Sequence, residues 1–144
     1  MKLIEPKTSE EYEKYFYLRW KVLRRPLLQP IKSERDYLDK SSIHRMIVND
    51  NNEPIAIGRL QINSDSNAQI RFMAVENKFQ GMGFGSKVLK ELEFLAKEKK
   101  CKHIILHARE NAISFYKNKG YRIINKSHNL FNKIQHWLMK KNIE

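Results

Sequence analysis

A chain of 144 residues, 41% hydrophobic and 31% charged, fits one soluble globular domain spanning residues 1–144 and excludes a disordered polymer. No apolar run approaches the ~20 residues that cross a bilayer, and residues 1–6 lack the apolar stretch of a signal peptide. The formal net charge of +12 points to anionic partners. A lysine-rich solvated surface is the first reading of that charge, a polyanionic cofactor or substrate the second and nucleic acid the third. The basic residues are spread along the chain, and their densest cluster is only Lys97, Lys99, Lys100 and Lys102. Cys101, the single cysteine, precludes an internal disulfide and suits a reducing compartment, so the cytoplasm is the expected location, with no membrane or nucleic-acid partner.

Residues 2–5 can form a short first strand. Thr8-Ser9-Glu10-Glu11 is a capping-box pattern that opens a helix whose apolar stripe runs Tyr12, Tyr15, Phe16, Val22, Leu23. Arg19 falls on that stripe, an odd place for a charge. Pro26 and Pro30 end the helix, and residues 33–40 read as a short, polar, mobile helical segment. Three strands follow as an antiparallel meander: 43–49, 55–62 and 69–75. In the second, Gly58, Leu60 and Ile62 alternate with Arg59 and Gln61; in the third, Ile70, Phe72 and Ala74 share a face.

A glycine-rich loop leads into a long helix over 85–99 with Val88, Leu89, Leu92, Leu95 and Ala96 on one face. A buried strand over 103–108 comes next. Asn111 caps a short helix that Gly120 terminates, and 121–125 and 135–140 read as two final strands. The long helix must cross over to make its two flanking strands parallel, so the sheet is mixed.

The informative segment is Gln80-Gly81-Met82-Gly83-Phe84-Gly85-Ser86. Glycines let backbone approach a ligand closely, and the helix start adds unpaired N–H groups and a positive dipole end, which together suit phosphates. A Walker loop does not fit, because no Ser or Thr follows Lys87. A dinucleotide loop fits poorly: five residues separate Val75 from Gly81 and the third glycine falls one place early, although Glu110 lies near where a ribose-binding acid would stand.

The spacing Gln80, Gly83, Gly85 resembles the acetyl-CoA loop of the GNAT acyltransferase superfamily. Met73-Ala74-Val75 precedes it as that family's central strand does, and Asn111-Ala112-x-x-Phe115-Tyr116-x-x-x-Gly120-Tyr121 resembles the segment after its next strand. The strong resemblance covers residues 68–125. It implies a three-layer α/β (α+β) fold with a central mixed, mostly antiparallel sheet flanked by helices, and an N-acetyltransferase moving the acetyl group of acetyl-CoA to an amine. The strands over 69–75 and 103–108 would splay at a bulge, and the pantetheine arm would pair with Met73 and Val75 in the gap. The pyrophosphate would sit on the amides from Gly81 through Met82, Gly83, Phe84 and Gly85 to Ser86. An N–H near Ala74 or Val75 would polarise the thioester carbonyl, and Asn111 would hydrogen-bond the cofactor.

The same resemblance makes Tyr116 the general acid that protonates the departing thiolate. A general base is harder to find, since Gln69 and Arg71 stand where many members carry an acid, and Glu76 reads as a solvated loop residue. His107 shares a strand face with His103 and Ile105 and reads as core. His136, in His136-Trp137-x-Met139, resembles the active-site lining of the ElaA-like branch. That branch also has a Leu-Arg helix and a proline turn like Leu18-Arg19 and Gln29-Pro30, which makes Arg19, Glu34 and Asp36 candidate acceptor contacts. No His/Cys/Asp cluster has metal spacing, so no metal is expected. The expected partners are acetyl-CoA, an amine acceptor and a second copy of the chain as a homodimer. A catalytically idle acyl-CoA sensor and a nucleotide-binding regulatory domain stand as alternatives.

Overall fold

The structure, a computed structural model, describes residues 1–144. Seven strands form one sheet in the order β1 (Lys2–Ile4), β2 (Ile43–Val48), β3 (Pro54–Ser64), β4 (Asn67–Val75), β5 (His103–Arg109), β7 (Ile134–Asn142) and β6 (Arg122–Leu130). Every neighbouring pair is antiparallel except β4 and β5, which the crossover helix α2 (Phe84–Glu98) makes parallel. The expected meander, crossover and mixed sheet are all present.

Helix α1 (Ser9–Leu23) starts as its capping box dictates: the Glu11 amide donates to the Thr8 hydroxyl at 3.1 Å, and the Thr8 amide donates to the Glu11 carboxylate at 3.0 Å. It covers one face of the sheet, where Tyr15, Leu18 and Leu23 meet Met46, Val48, Ile57 and Ala74. The other face packs α2 through Val88, Leu89, Leu92 and Ala96 against Ala56, Leu60, Ile70, Ile104 and Leu106. Burying each leucine there stabilises the fold by roughly 1.5–3 kcal/mol. Gly58 lets α2 approach: a Cβ at this position would lie 2.6 Å from Met73 Sδ and 2.9 Å from side-chain atoms of Val88 and Leu92.

The structure departs from the sequence reading in five places. Residues 33–40 form a series of turns, not a helix, because their polar groups are drawn inward: Asp36 and Asp39 pair with the buried guanidiniums of Arg19 and Arg59. Arg59, placed by alternation on the polar side of β3, is consequently fully buried. Phe72 does not share a face with Ile70. It adopts φ +57° where β3 and β4 lose register between Ile57 and Arg59, so Ala68 and Ile70 face α2 whereas Phe72 and Ala74 face α1. Neither the 3₁₀ turn Glu110–Ala112 nor α3 (Ile113–Asn118) has a side-chain cap, so Asn111 is not the cap of that helix. The last two strands run longer than 121–125 and 135–140, because β7 inserts between β5 and β6 and pairs along both.

Candidate active site

Strands β4 and β5 are paired only at Asn67–His103, Ala68–Ile104 and Gln69–Ile105. Beyond Gln69 they diverge, at the bulge that Phe72 introduces. A left-handed phenylalanine costs about 1–2 kcal/mol. Guanidinium groups offset that cost, with Arg19, Arg71 and Arg59 lying 4.1, 4.7 and 4.8 Å from the centre of the Phe72 ring.

The divergence opens the edge of β4. Glu76 N–H donates to the Ile55 carbonyl at 2.8 Å, toward β3. Successive amides of an extended strand point to opposite sides, so in the regular stretch after the bulge the Val75 N–H faces the gap and that of Ala74 faces β3. Val75 is therefore the better placed of the two candidate carbonyl-polarising donors.

Below the gap lies a groove of about 590 Å³ lined by Met73, Ala74 and Val75, by Gln80, Gly81, Gly83, Phe84, Gly85 and Ser86, and by Asn111 and Tyr116. Six consecutive amides, Gly81 to Ser86, donate to no protein acceptor. Gly83 makes this possible: it is the N-cap of α2 at φ +88°, a conformation that turns the loop into the helix axis. Gln80 anchors the loop, its side-chain Nε2 donating to the Val75 carbonyl at 3.2 Å and to Asn77 Oδ1 at 3.2 Å. The Met82 side chain is exposed and contributes only its amide. An array of free N–H groups at a helix start fits a pyrophosphate, and the open strand edge fits an amide-bearing arm. These residues would hold acetyl-CoA, which supplies a thioester as acyl donor.

Above the gap lies a smaller cleft of about 270 Å³, bounded by β4, β5, β6, β7 and the end of α1. Met73, Arg109, Ala112 and Tyr116 line both spaces. Tyr116 is buried, and its hydroxyl has no protein hydrogen-bond partner, unlike those of Tyr121, which donates to Glu93, and Tyr15, which donates to the Gly58 carbonyl. Burial pushes its phenol above the ordinary range, so it is protonated at neutral pH.

His136 lines the cleft, as expected. Burial, His128, Arg109 and His107 together push its imidazole down to about 4, against a smaller opposing effect from the Ile134 carbonyl. Nδ1 of His136 lies 3.2 Å from that carbonyl, which places the proton there and leaves Nε2 as an acceptor. Its ring stacks on His128 at 4.4 Å. His107 is a correction: Ile104, Leu106 and Ala108 form the core face of β5, and His107 lines the cleft on the opposite face, with Nδ1 bonded to Ser127 Oγ. Sequence reasoning also missed Arg24, Arg109 and His128, and left Arg71 only as a departure from the motif. The alternation His103, Ile105, His107, Arg109 was the available signal for His107 and Arg109.

Arg19 and Glu34 do not line the cleft. Arg19 is fully buried, donating from Nη1 to Asp39 at 2.9 and 3.1 Å and to the Glu34 carbonyl at 3.1 Å. Glu34 is buried against Arg35 at 2.7 Å, and Asp36 bridges Arg59 and Arg71. Glu76 is not a freely solvated loop residue: it pairs with Lys21 at 2.8 Å. Glu110 is exposed in the turn after β5, and a sheet with one parallel pair is not the doubly wound sheet that a dinucleotide site requires.

A sheet that splays beside an amide cradle, with a second cleft across the gap, is the arrangement that the acyltransferase resemblance implies. The family model of the acetyltransferase (GNAT) family matches residues 6–121. An uncharacterized N-acetyltransferase of Bacillus subtilis, YjcF, is 30% identical over 141 residues, 98% of this chain and 99% of the relative. An acyl-CoA N-acyltransferase of Pseudomonas aeruginosa superposes with a TM-score of 0.81 at 20% identity, covering 97% of each chain. A GNAT family acetyltransferase of Elizabethkingia anophelis, solved with acetyl-CoA bound, superposes with a TM-score of 0.74 at 20% identity, covering 98% of this chain and 97% of the other. The chain belongs to the GNAT acetyltransferase family.

Proposed function

We propose that the chain transfers the acetyl group of acetyl-CoA to an amine by direct attack on the thioester. The observation that carries this reading is the meeting of the amide cradle and the acceptor cleft at one gap, where Tyr116 lines both spaces. The cradle binds phosphate oxygens, the β4 edge aligns the arm, and the Val75 N–H stabilises the carbonyl oxygen as it gains charge. Tyr116, held protonated by burial, donates its proton to the departing sulfur.

The attacking nitrogen must be neutral. No carboxylate lines the cleft, so a bound ammonium has no counter-ion and faces three guanidiniums, which favours its neutral form. His136, neutral with Nε2 free, is an acceptor for a hydrogen bond from the attacking nitrogen, and the proton that leaves passes to solvent.

Tyr116→Phe tests the reading, because it deletes the hydroxyl and keeps the ring. Its kcat, followed by release of the CoA thiol with an amine panel, should fall by ~10²–10⁴ while acetyl-CoA affinity and melting temperature barely change. Full activity in this variant would assign the proton to water. Acetyl-CoA binding by the wild type with no turnover on any amine would identify an acyl-CoA sensor instead.

A further inference from the structure

The fold treats its buried and half-buried arginines in two ways. Arg19 and Arg59, both fully buried, are matched by carboxylates: Asp39 lies 2.9 Å from each, and Asp36 lies 2.6 Å from Arg59. Arg24 and Arg109 are not. Arg24, 7% exposed, donates only to main-chain carbonyls, from Nε to Ser33 at 3.2 Å and from Nη1 to Leu23 at 3.3 Å. Arg109 donates only to the Leu23 carbonyl, at 2.7 Å. Neither forms an ion pair, and both line the acceptor cleft. Arg71 joins them there, with a single 3.4 Å contact to Asp36, which it shares with Arg59.

A desolvated charge without a counter-charge is costly, and this fold supplies carboxylates elsewhere when it needs them. The three guanidiniums also repel one another. Burial first, then Arg109, Arg71 and Arg19 push Arg24 down to about 10, against a smaller pull from Glu34. A site of this kind gains most from a ligand oxyanion, which guanidinium forks bind with short, charge-assisted bonds. The histidines add no positive charge at neutral pH, since burial and neighbouring groups lower all three.

We propose that the acceptor is a small amine that itself carries an oxyanion, a carboxylate or a phosphate, seated on Arg24, Arg71 and Arg109 while its nitrogen points to the gap beside Tyr116. This rests on reading the cleft as the acceptor site of acetyl transfer. A space of about 270 Å³ holds on the order of nine waters at ~30 Å³ each, so the acceptor is metabolite-sized. Polyamines and other polycations are rejected, because their charges would meet like charges with no carboxylate to relieve them.

Matched pairs of amines test the proposal by equilibrium binding to the CoA-saturated protein: β-alanine against propylamine for a carboxylate, and O-phosphoethanolamine against ethanolamine for a phosphate. In at least one pair the anionic member should bind about tenfold or more tightly, as expected of hydrogen bonds between charged groups. Arg24→Met should cut that ratio to within about threefold, and Arg71→Gln, at a more exposed position, gives the same readout if Arg24→Met does not fold. Ratios near one in both pairs, or a ratio unchanged in the folded variants, would overturn the anion site. Turnover of the same amines is measured separately. Selective binding without turnover sinks acetyl transfer and leaves the anion site standing, whereas turnover without anion preference does the reverse.

Discussion

Arg19→Ala separates an architectural arginine from a substrate contact. In the wild type the guanidinium has no exposed surface, and it holds Asp39, the Glu34 carbonyl and the face of Phe72 at once. Burial alone would raise the Asp39 carboxyl, but Arg19, the Asp36 amide and Arg59 together outweigh it and hold the group below its ordinary value. Removing one partner of a buried pair costs about 3–5 kcal/mol. The lower half of that range applies, because Asp39 keeps Arg59 at 2.9 Å and the Asp36 amide at 2.9 Å. A loss of about 3–4 kcal/mol is a large share of the roughly 5–15 kcal/mol that folds such a domain. With a urea slope of about 2 kcal/mol/M, the unfolding midpoint should fall by ~1.5–2 M. The assay is urea unfolding followed by circular dichroism, beside acceptor KM at a temperature where the variant stays folded. A midpoint within experimental error of wild type, together with a raised KM, would refute the architectural role and return Arg19 to the acceptor site.

Two further outcomes follow from the same geometry. His136 titrates near 4 in the fold and about 6.5 when unfolded, so the unfolded chain binds its proton first. The stability this group contributes is complete above about 6.5 and is lost as pH falls toward 4. The urea midpoint should drop across that window, and drop less in His136→Gln; equal slopes would show that burial beside His128, Arg109 and His107 does not depress its titration. Gly58→Ala should cost about 1–3 kcal/mol by overpacking and displace Met73, which lines both spaces, so melting temperature and acetyl-CoA affinity should fall together. A fall in stability with unchanged affinity would show that Met73 does not hold the donor.

What the sequence made legible was local. The capping box at Thr8, the crossover helix after Val75 and the free-amide loop are each written in neighbouring residues, and the spacing of Gln80, Gly83 and Gly85 carried the family. The bulge was expected from the resemblance but not its consequence, since period-2 alternation cannot reveal where a strand flips faces, as at Phe72. The cleft above the gap was least legible. Arg24, Arg71, Arg109, His107, His128 and His136 come from α1's end and four strands, and only the sheet order brings them together. A buried ion network between residues 19, 36, 39 and 59 likewise has no sequence periodicity; its sole trace was an arginine on an apolar stripe.

The central claim, that acetyl-CoA sits on the amides of Gly81 to Ser86, is tested most directly by calorimetric titration of acetyl-CoA into the wild type, Gly83→Asn and Gly83→Asp. Both substitutions tolerate the left-handed backbone at φ +88° better than other residues, and a Cβ at this position meets nothing within 4 Å, so the two differ chiefly by one negative charge. Wild type should bind, Gly83→Asn more weakly, and Gly83→Asp at least about tenfold more weakly than Gly83→Asn, with the gap narrowing as salt rises. Equal affinity for the two folded variants would contradict a phosphate at the start of α2.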